Sequence, residues 1–253
     1  MQRITRHCLR VDSFDGLSEF YGDLLGMQTL GSADEPAFGF DAAQCCLAFR
    51  ATASAPNKPK QHDFYWKIGI TLRDLDAAVA YLRSRGVQVN DPIQFLDIGY
   101  MTKLTDPNGF IIELLQQGFE GHHTPAPDGH PIAAQATLAH ITLRVTDLDA
   151  ANAYFEGALG MRLMSVQPVH EYAFCLYFFC WSDEALPDPD LTAVANREWL
   201  WARPYAFIEL QHLELPDKKL RKVGKRSAGF DGFAYDGPDG TVFVANEDMK
   251  SLT

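Results

Sequence analysis

The sequence predicts an α+β fold built from repeated β-α-β-β-β units, and the main evidence is one pattern that occurs three times. Residues 67–81 read KIGITLRDLDAAVAY, and residues 140–154 read HITLRVTDLDAANAY. A looser copy, RHCLRVDSFDGLSEFY, spans residues 6–21. Self-similarity of this kind defines the folding unit. The copies differ at their first strand position, which carries Arg6, Lys67 or His140.

Each copy predicts a strand followed by a helix. The first half alternates apolar and polar residues as a half-buried strand does, and the second half has apolar residues at helical spacing. In the copy that begins at residue 140, this helical stripe runs from Leu148 to Leu159. Gly160 follows, at the place where a glycine often ends a helix. The unit therefore opens with a strand and a helix.

Two turn signals predict the hairpins that follow the helices. Asp106-Pro107-Asn108-Gly109 separates two strand-like runs, and DGPDG at 236–240 repeats this signal before TVFVANED. Too few residues lie between the run FIELQH and this second hairpin for another strand and helix. The units are therefore expected to pair in tandem into curved mixed sheets, with the last unit truncated.

A linker is predicted between two halves of the chain. Residues 118–136 are rich in Gly, Pro and Ala and show no periodicity. This places one domain at 1–117 and a second, with the truncated unit, at 137–253. A homodimer in which a partner subunit rebuilds the missing part of the last unit is left open.

Composition limits the classes of partner. The net charge of −11 argues against nucleic acid, because neutralising phosphates needs a basic surface. No apolar run has the length of a membrane span, and the start MQRITRHCLR lacks the apolar core of a signal peptide. The five cysteines, an odd number, fit reduced thiols. We expect a cytoplasmic protein that binds a small molecule and neither nucleic acid nor membrane.

Several motifs resemble the vicinal oxygen chelate superfamily, which includes glyoxalase I, extradiol dioxygenases and bleomycin-resistance proteins. They are the β-α-β-β-β unit, the helix ends LLGM and ALGM, and the DPNGFIIEL hairpin. The second half is similar to glyoxalase I in particular, through LYFFCW, a polar insertion and YAFIELQH. The resemblance implies that two units pair into a curved sheet whose concave face, the cup, holds the active site. It also implies conversion of the hemithioacetal of glutathione and a 2-oxoaldehyde into a thioester.

The resemblance implies metal ligands on the first and last strands of paired units. His140 and Glu209 stand at such positions and are expected to bind a divalent ion, either Zn, Ni, Fe or Mn, with a third ligand still to be found. Lys67 stands at the first-strand position of the second unit. In the first unit Arg6 stands there and His7 turns to the other face, unless a bulge reverses the two.

Other residues are expected to line the cup. Glu113 occupies the carboxylate position of the second unit, and with Lys67 it forms either a catalytic base beside a charge stabiliser or a fixed ion pair. Arg6, Lys67 and Glu113 together are the kind of cluster that replaces a metal. Substrate-binding roles are expected for Arg6, Tyr100 and Arg144.

Three functions follow from these expectations. The leading one is a glyoxalase-type, metal-assisted lyase acting on a small oxygenated substrate, with a glutathione-like thiol adduct as one candidate. The first alternative is a metal-free binding protein, like the antibiotic-sequestering members of the superfamily. The second is an extradiol-type ring-cleavage dioxygenase. A third ligand beside His140 and Glu209 would favour the enzymes.

Overall fold

A computed structural model describes residues 2–125, 129–215 and 219–252 of the chain. Residues 126–128 of the predicted linker lie outside this description. The described residues form two mixed sheets flanked by short helices, which confirms the predicted α+β class. None of the helices described is long and apolar enough to cross a membrane.

The strands follow the repeat pattern. The first unit contains β1 Ile4–Val11, β2 Gln28–Thr29, β3 Ala37–Gly39 and β4 Cys46–Ala51. The second contains β5 Tyr65–Leu72, β6 Ile93–Phe95, β7 Gly99–Thr105 and β8 Ile111–Gln116. The third contains β9 Thr137–Val145, β10 Arg162–Val169, β11 Phe174–Cys180 and β12 Phe207–Leu213. The last contains β13 Gly229–Gly237 and β14 Gly240–Ala245.

Helices follow the first strand of three units. They are the π-helical segment Ser18–Leu24, the helix α1 Leu75–Ser84, and the helix α2 Leu148–Asn152 with its π-helical continuation Ala153–Ala158. The polar insertion of the third unit contains α3 Ala195–Trp201, and 3-10 turns span His170–Tyr172 and Asn246–Leu252.

The repeated aspartates explain where two helices begin. The side chains of Asp74 and Asp147 accept hydrogen bonds of 2.9 Å from the backbone N–H groups of Ala77 and Ala150. Such caps satisfy N–H groups that have no partner within the helix. Gly160 has a φ of +65°, so the residue predicted to end the third helical segment has the left-handed conformation that glycine tolerates.

The units pair differently from the order expected. One sheet has the strand order β10-β11-β12-β9-β5-β8-β7-β6, and the other has the order β14-β13-β1-β4-β3-β2. The second unit thus pairs with the third, and the first pairs with the last. Strands from both sides of the 118–136 segment enter each sheet, which corrects the expectation of sequential pairing. Every unit begins with a similar strand, so the pattern alone does not specify which first strands meet.

The last unit has two strands in the part of the chain described. β13 pairs antiparallel with β1, as β9 pairs with β5 in the other sheet. The sequence predicts this hairpin at the end of its unit, whereas β13 takes the place of a first strand. β14 pairs with β13 at the edge of the sheet.

Alternation along the central strands separates the core from the cup. Ile68, Ile70 and Ile141 are fully buried in the main apolar cluster. Their neighbours in sequence, Lys67 and His140, therefore face the opposite side of the eight-stranded sheet, because successive strand residues alternate between faces. This side is the cup.

Candidate active site

Four of the predicted site residues meet in the cup of the eight-stranded sheet. Lys67 comes from β5, Glu113 from β8, His140 from β9 and Glu209 from β12. All four side chains are at most 4% exposed. They meet because the second and third units share a sheet.

The ammonium group of Lys67 lies at the centre of this cluster. Its Nζ is 2.5 Å from Oε1 of Glu113 and 3.3 Å from Oε1 of Glu209. It is also 3.4 Å from Nε2 of His140. An ammonium has three N–H donors, so the three neighbours match its donors in number.

The cluster is charged despite its burial. Burial alone would lower the pKa of Lys67, but Glu113 and Glu209 outweigh it and raise that pKa. Burial opposes ionisation of Glu113 as well, but Lys67, His140 and Lys103 together outweigh it, and the pKa of Glu113 falls well below its usual range. Both shifts favour the ion pair, as expected for opposite charges in contact.

Polar and aromatic neighbours surround the cluster. The hydroxyl of Thr142 donates to Oε1 of Glu209 at 3.0 Å. The ring of Trp66 has cations near its face, with Nζ of Lys67 at 5.0 Å and Nζ of Lys103 at 4.6 Å from its centroid. Cation–π contacts of this kind favour the charged form of the lysines.

A cavity of about 300 Å³ opens directly onto the cluster. Lys67, Glu113 and Glu209 form one end, together with Lys103. Most of the remaining wall is apolar and includes Met101, Leu115, Phe174, Leu176, Phe178 and Trp201. Small-molecule sites commonly combine an apolar wall with a few polar groups in this way.

Trp66 and Lys103 are the cavity residues beside the cluster that the sequence does not predict. Nζ of Lys103 is 3.7 Å from Oε2 of Glu113, and its pKa is lowered, mainly by burial. The available signal was the predicted hairpin, which pairs Lys103 directly with Glu113 across β7 and β8. Counting across that turn would have placed Lys103 in the cup, whereas Trp66 had no comparable signal.

Tyr100 and Arg6 lie away from the cluster, which corrects their expected positions. Tyr100 lies three residues before Lys103 on β7, so its side chain is on the opposite face of the sheet. Its hydroxyl donates to Oδ1 of Asp76 in α1 at 2.8 Å. Arg6 is exposed on β1 in the six-stranded sheet. It lines a separate cavity there, whereas His7 is fully buried, and burial is the main reason that its pKa falls to about 3.

Arg144 lies near the cluster but is engaged by protein groups. Its Nε donates to Oε1 of Gln211 at 2.9 Å, and one of its terminal nitrogens donates to the carbonyl of Asp63 at 3.3 Å. Its guanidinium carbon is 4.4 Å from the centroid of Trp66. Burial lowers the pKa of Arg144 to about 10. A substrate-binding role for Arg144 stays a prediction.

Glu113, His140 and Glu209 form a group that could hold a metal ion, since one ligand atom of each lies within 4.8 Å of the others. Nε2 of His140 is 3.2 Å from Oε2 of Glu209 and 3.6 Å from Oε1 of Glu113. These separations are close to the edge of about 3.4 Å that follows for a tetrahedron with metal–ligand bonds of about 2.1 Å. However, the ammonium of Lys67 contacts all three residues, so a metal does not fit while Lys67 is in place.

Comparison with known proteins agrees with this fold. Residues 3–114 match the family model described as the Glyoxalase/Bleomycin resistance protein/Dioxygenase superfamily. A lactoylglutathione lyase of Arabidopsis thaliana is 27% identical over 187 residues, which are 69% of this chain and 60% of that protein. A lactoylglutathione lyase of Oryza sativa is 34% identical over 79 residues, or 31% of this chain and 22% of that protein.

A solved structure extends the likeness over almost the whole chain. The crystal structure of glyoxalase I from Zea mays has a TM-score of 0.66 and 18% identity, covering 93% of this chain and 74% of that one. At this identity the likeness shows the fold. Residues 3–114 thus match the model of the glyoxalase/bleomycin resistance protein/dioxygenase superfamily, and the chain has the fold of glyoxalase I over nearly all of its length.

Proposed function

We propose that the protein is a glyoxalase-type lyase or isomerase that moves a proton on a small oxygenated substrate bound in the cup. The observation that carries the proposal is the buried pair of carboxylates, Glu113 and Glu209, at the polar end of an apolar cavity. A carboxylate can act as a general base when it lies within reach of the substrate and stays ionised. The lowered pKa of Glu113 meets the second condition.

In the proposed step, Glu113 takes a proton from the carbon beside a substrate carbonyl. The electron pair of the broken C–H bond forms the double bond of an enediolate, and negative charge develops on oxygen. Lys103 and Lys67 offset that charge, as fixed cations do at oxyanion sites. Glu113 then returns the proton to the neighbouring carbon, while the hydroxyl proton of the first carbon passes to the oxygen of the second. Glu113 is ionised again, so the reaction is an isomerisation with no net loss or gain of electrons by the substrate.

The cavity favours a substrate with an apolar part and a short oxygenated end. Aromatic and aliphatic side chains form most of the wall, and the charged lining residues apart from Asp91 are the contacting set Lys67, Lys103, Glu113 and Glu209. The name of the relatives, lactoylglutathione lyase, suggests a glutathione-like thiol adduct as the first substrate to test. The chain spans only 60% of the Arabidopsis relative, so this substrate is part of the proposal.

Deuterium exchange tests the reaction class without knowledge of the product. The purified chain is incubated in D2O with the hemithioacetal of glutathione and a 2-oxoaldehyde, and with simple 2-hydroxy carbonyl compounds. Wild type should incorporate deuterium at the carbon beside the carbonyl and form a thioester from the hemithioacetal. Glu113→Gln should lower the rate by about 100-fold or more, which is typical for loss of a general base.

Glu35→Gln is the matched control, since Glu35 is an exposed carboxylate on a loop beside the six-stranded sheet. Its exchange rate should equal that of wild type. Exchange that is unaffected by Glu113→Gln would contradict the assignment of the base, and absence of exchange with all substrates would contradict the enzyme.

A metal-free binding protein is the second candidate, and one contact favours it. Each of the three N–H donors of Lys67 has a protein acceptor nearby, so the ammonium is satisfied without a substrate. In that case a ligand should bind in the cavity, seen as a change in Trp fluorescence, without any exchange of its C–H protons.

A further inference from the structure

We propose that the ammonium of Lys67 is the built-in cation of a metal-type site, and that replacing Lys67 by histidine converts the cup into a site for a divalent transition-metal ion. The inference rests on the proposed function only for its location in the active cup. Its test measures metal binding without substrate, so the two can fail separately.

The ligand atoms are already spaced for a metal. Nε2 of His140 lies 3.2 Å from Glu209 and 3.6 Å from Glu113, and a metal bound at about 2.1 Å needs ligand separations of about 3.0 to 3.4 Å for octahedral or tetrahedral geometry. The three side chains come from three different strands of one sheet, which hold them without help from a loop. Rigid elements position ligands more precisely than loops do.

Lys67 replaces the metal rather than binding beside it. Its Nζ is within 3.4 Å of all three ligand residues. An ammonium offers donors and no lone pair, so it cannot coordinate a metal. A metal ion placed between the same three atoms would therefore lie against a positive charge, and repulsion between the two would exclude it.

Charge balance supports the same reading. Glu113 and Glu209 together carry two negative charges, and Lys67 and Lys103 carry two positive charges facing them. A divalent ion would supply the same charge as both lysines. Loss of the Lys67 charge leaves the two buried carboxylates undercompensated, and buried carboxylates need a paired cation or a metal. Removing Lys67 should therefore create affinity for a cation at this point.

Histidine is the informative replacement. It projects from the same position of β5, it is neutral when it acts as a ligand, and it would complete a set of two imidazoles and two carboxylates. Imidazole suits Zn, Ni, Co and Fe, and carboxylates suit Mn as well. The geometry also gives a matched control in Lys103, which faces Glu113 at 3.7 Å but lies far less buried, with 40% of its side chain exposed.

The test compares four proteins by isothermal titration with Zn²⁺ and by the visible spectrum of bound Co²⁺. They are wild type, Lys67→His, Lys67→Gln and Lys103→Ala. Lys67→His should bind about one equivalent at least about 100-fold more tightly than wild type, which is the scale expected for gain of a ligand and loss of a repelling charge. Lys103→Ala should bind as weakly as wild type.

Adding His140→Ala to Lys67→His should abolish the tight binding and so locate it in the cup. Lys67→Gln, which is neutral and shorter, repeats the test if the histidine variant does not fold, as judged by circular dichroism. Two results would overturn the inference. One is stoichiometric binding by wild type within about 10-fold of the affinity of the variants, that is within about 1.4 kcal/mol. The other is the absence of tight binding in every folded variant at position 67.

Discussion

The imidazole of His140 fills the space that a side chain on Gly69 would need. The two residues face each other across β5 and β9, and a β-carbon on Gly69 would lie 2.0 Å from Cε1 of His140. On another side the ring packs against Phe207, with ring centroids 5.4 Å apart. Glycine in a strand often marks such a close approach. The missing side chain thus allows His140 to direct Nε2 at the two carboxylates.

Gly69→Ala should therefore damage the cup. The added methyl group overlaps the imidazole, and overpacking of a buried site costs about 1–3 kcal/mol. Unfolding in urea should show this loss, and the side-chain NMR signals of His140 should shift. Gly157→Ala is the control, because a β-carbon there meets no atom within 4 Å. In this helical segment alanine should be neutral or stabilise the protein by up to about 1 kcal/mol. Equal stability of the two variants would contradict the overlap.

The local structure could be predicted from the sequence because each signal is short-range. Asp147 begins a helix, Gly160 ends its π-helical continuation, and the turn at 106–109 joins β7 to β8, as their patterns indicate. Such caps and turns depend on a few neighbouring residues.

The pairing of the units could not be predicted in the same way. Lys67 and Glu113 join His140 and Glu209 only because β5 pairs with β9, and that choice is a long-range one among similar first strands. A periodic pattern identifies the buried face of a strand but not its partner. The sequence thus predicts four residues that lie together in the structure, whereas Arg6 lies in the other sheet, since β1 pairs with β13 and β4.

Glu113 should make the protein less stable in acid. Its folded-state pKa lies below the ordinary value of 4.5, so its contribution is present above about pH 4.5 and is lost as the pH falls towards the folded-state pKa. Glu113→Gln should cost about 3 kcal/mol at pH 7, at the low end for a broken buried pair because Glu209 still faces Lys67. Urea unfolding is measured from pH 3 to 7 for both proteins. The difference in free energy of unfolding between wild type and Glu113→Gln should become smaller below pH 4.5. A difference that does not depend on pH would contradict the ion pair.

Asp106 should have the opposite pH dependence. Burial is the main reason that its pKa is raised to about 6, although it accepts hydrogen bonds from the Tyr21 hydroxyl and from the backbone of Asn108 and Phe110. Its contribution is therefore full below the ordinary value of 3.8 and is lost as the pH rises through about 6. As the pH rises from 3.8 to above 6, the free energy of unfolding of Asp106→Asn should therefore increase relative to that of wild type by about 2–3 kcal/mol. An unchanged difference between pH 4 and 7 would show that Asp106 titrates normally.

Lys103 should contribute to turnover more than to folding. The donors of Lys67 already face three protein acceptors, whereas Nζ of Lys103 is 3.7 Å from Glu113 and its side chain is 40% exposed at the cavity. Lys103 is thus the cation that an incoming substrate oxygen can reach without breaking the cluster. Lys103→Met keeps most of the length of the side chain and removes its charge, so kcat/KM should fall by about 10- to 100-fold. Stability should change by less than about 0.5 kcal/mol, because a long half-exposed ion pair contributes little.

The division of this effect between kcat and KM shows when Lys103 acts. A fall in kcat with unchanged KM means that Lys103 contacts the oxygen as negative charge develops, whereas a higher KM with unchanged kcat means that it only holds the substrate. We expect the first result, since Lys103 faces the same carboxylate that takes the proton. Lys60→Met removes an exposed lysine outside the cavity and should leave both constants unchanged. Equal kinetics for the two variants would mean that Lys67 supplies the stabilising charge alone, and that the cluster must open before a substrate reacts.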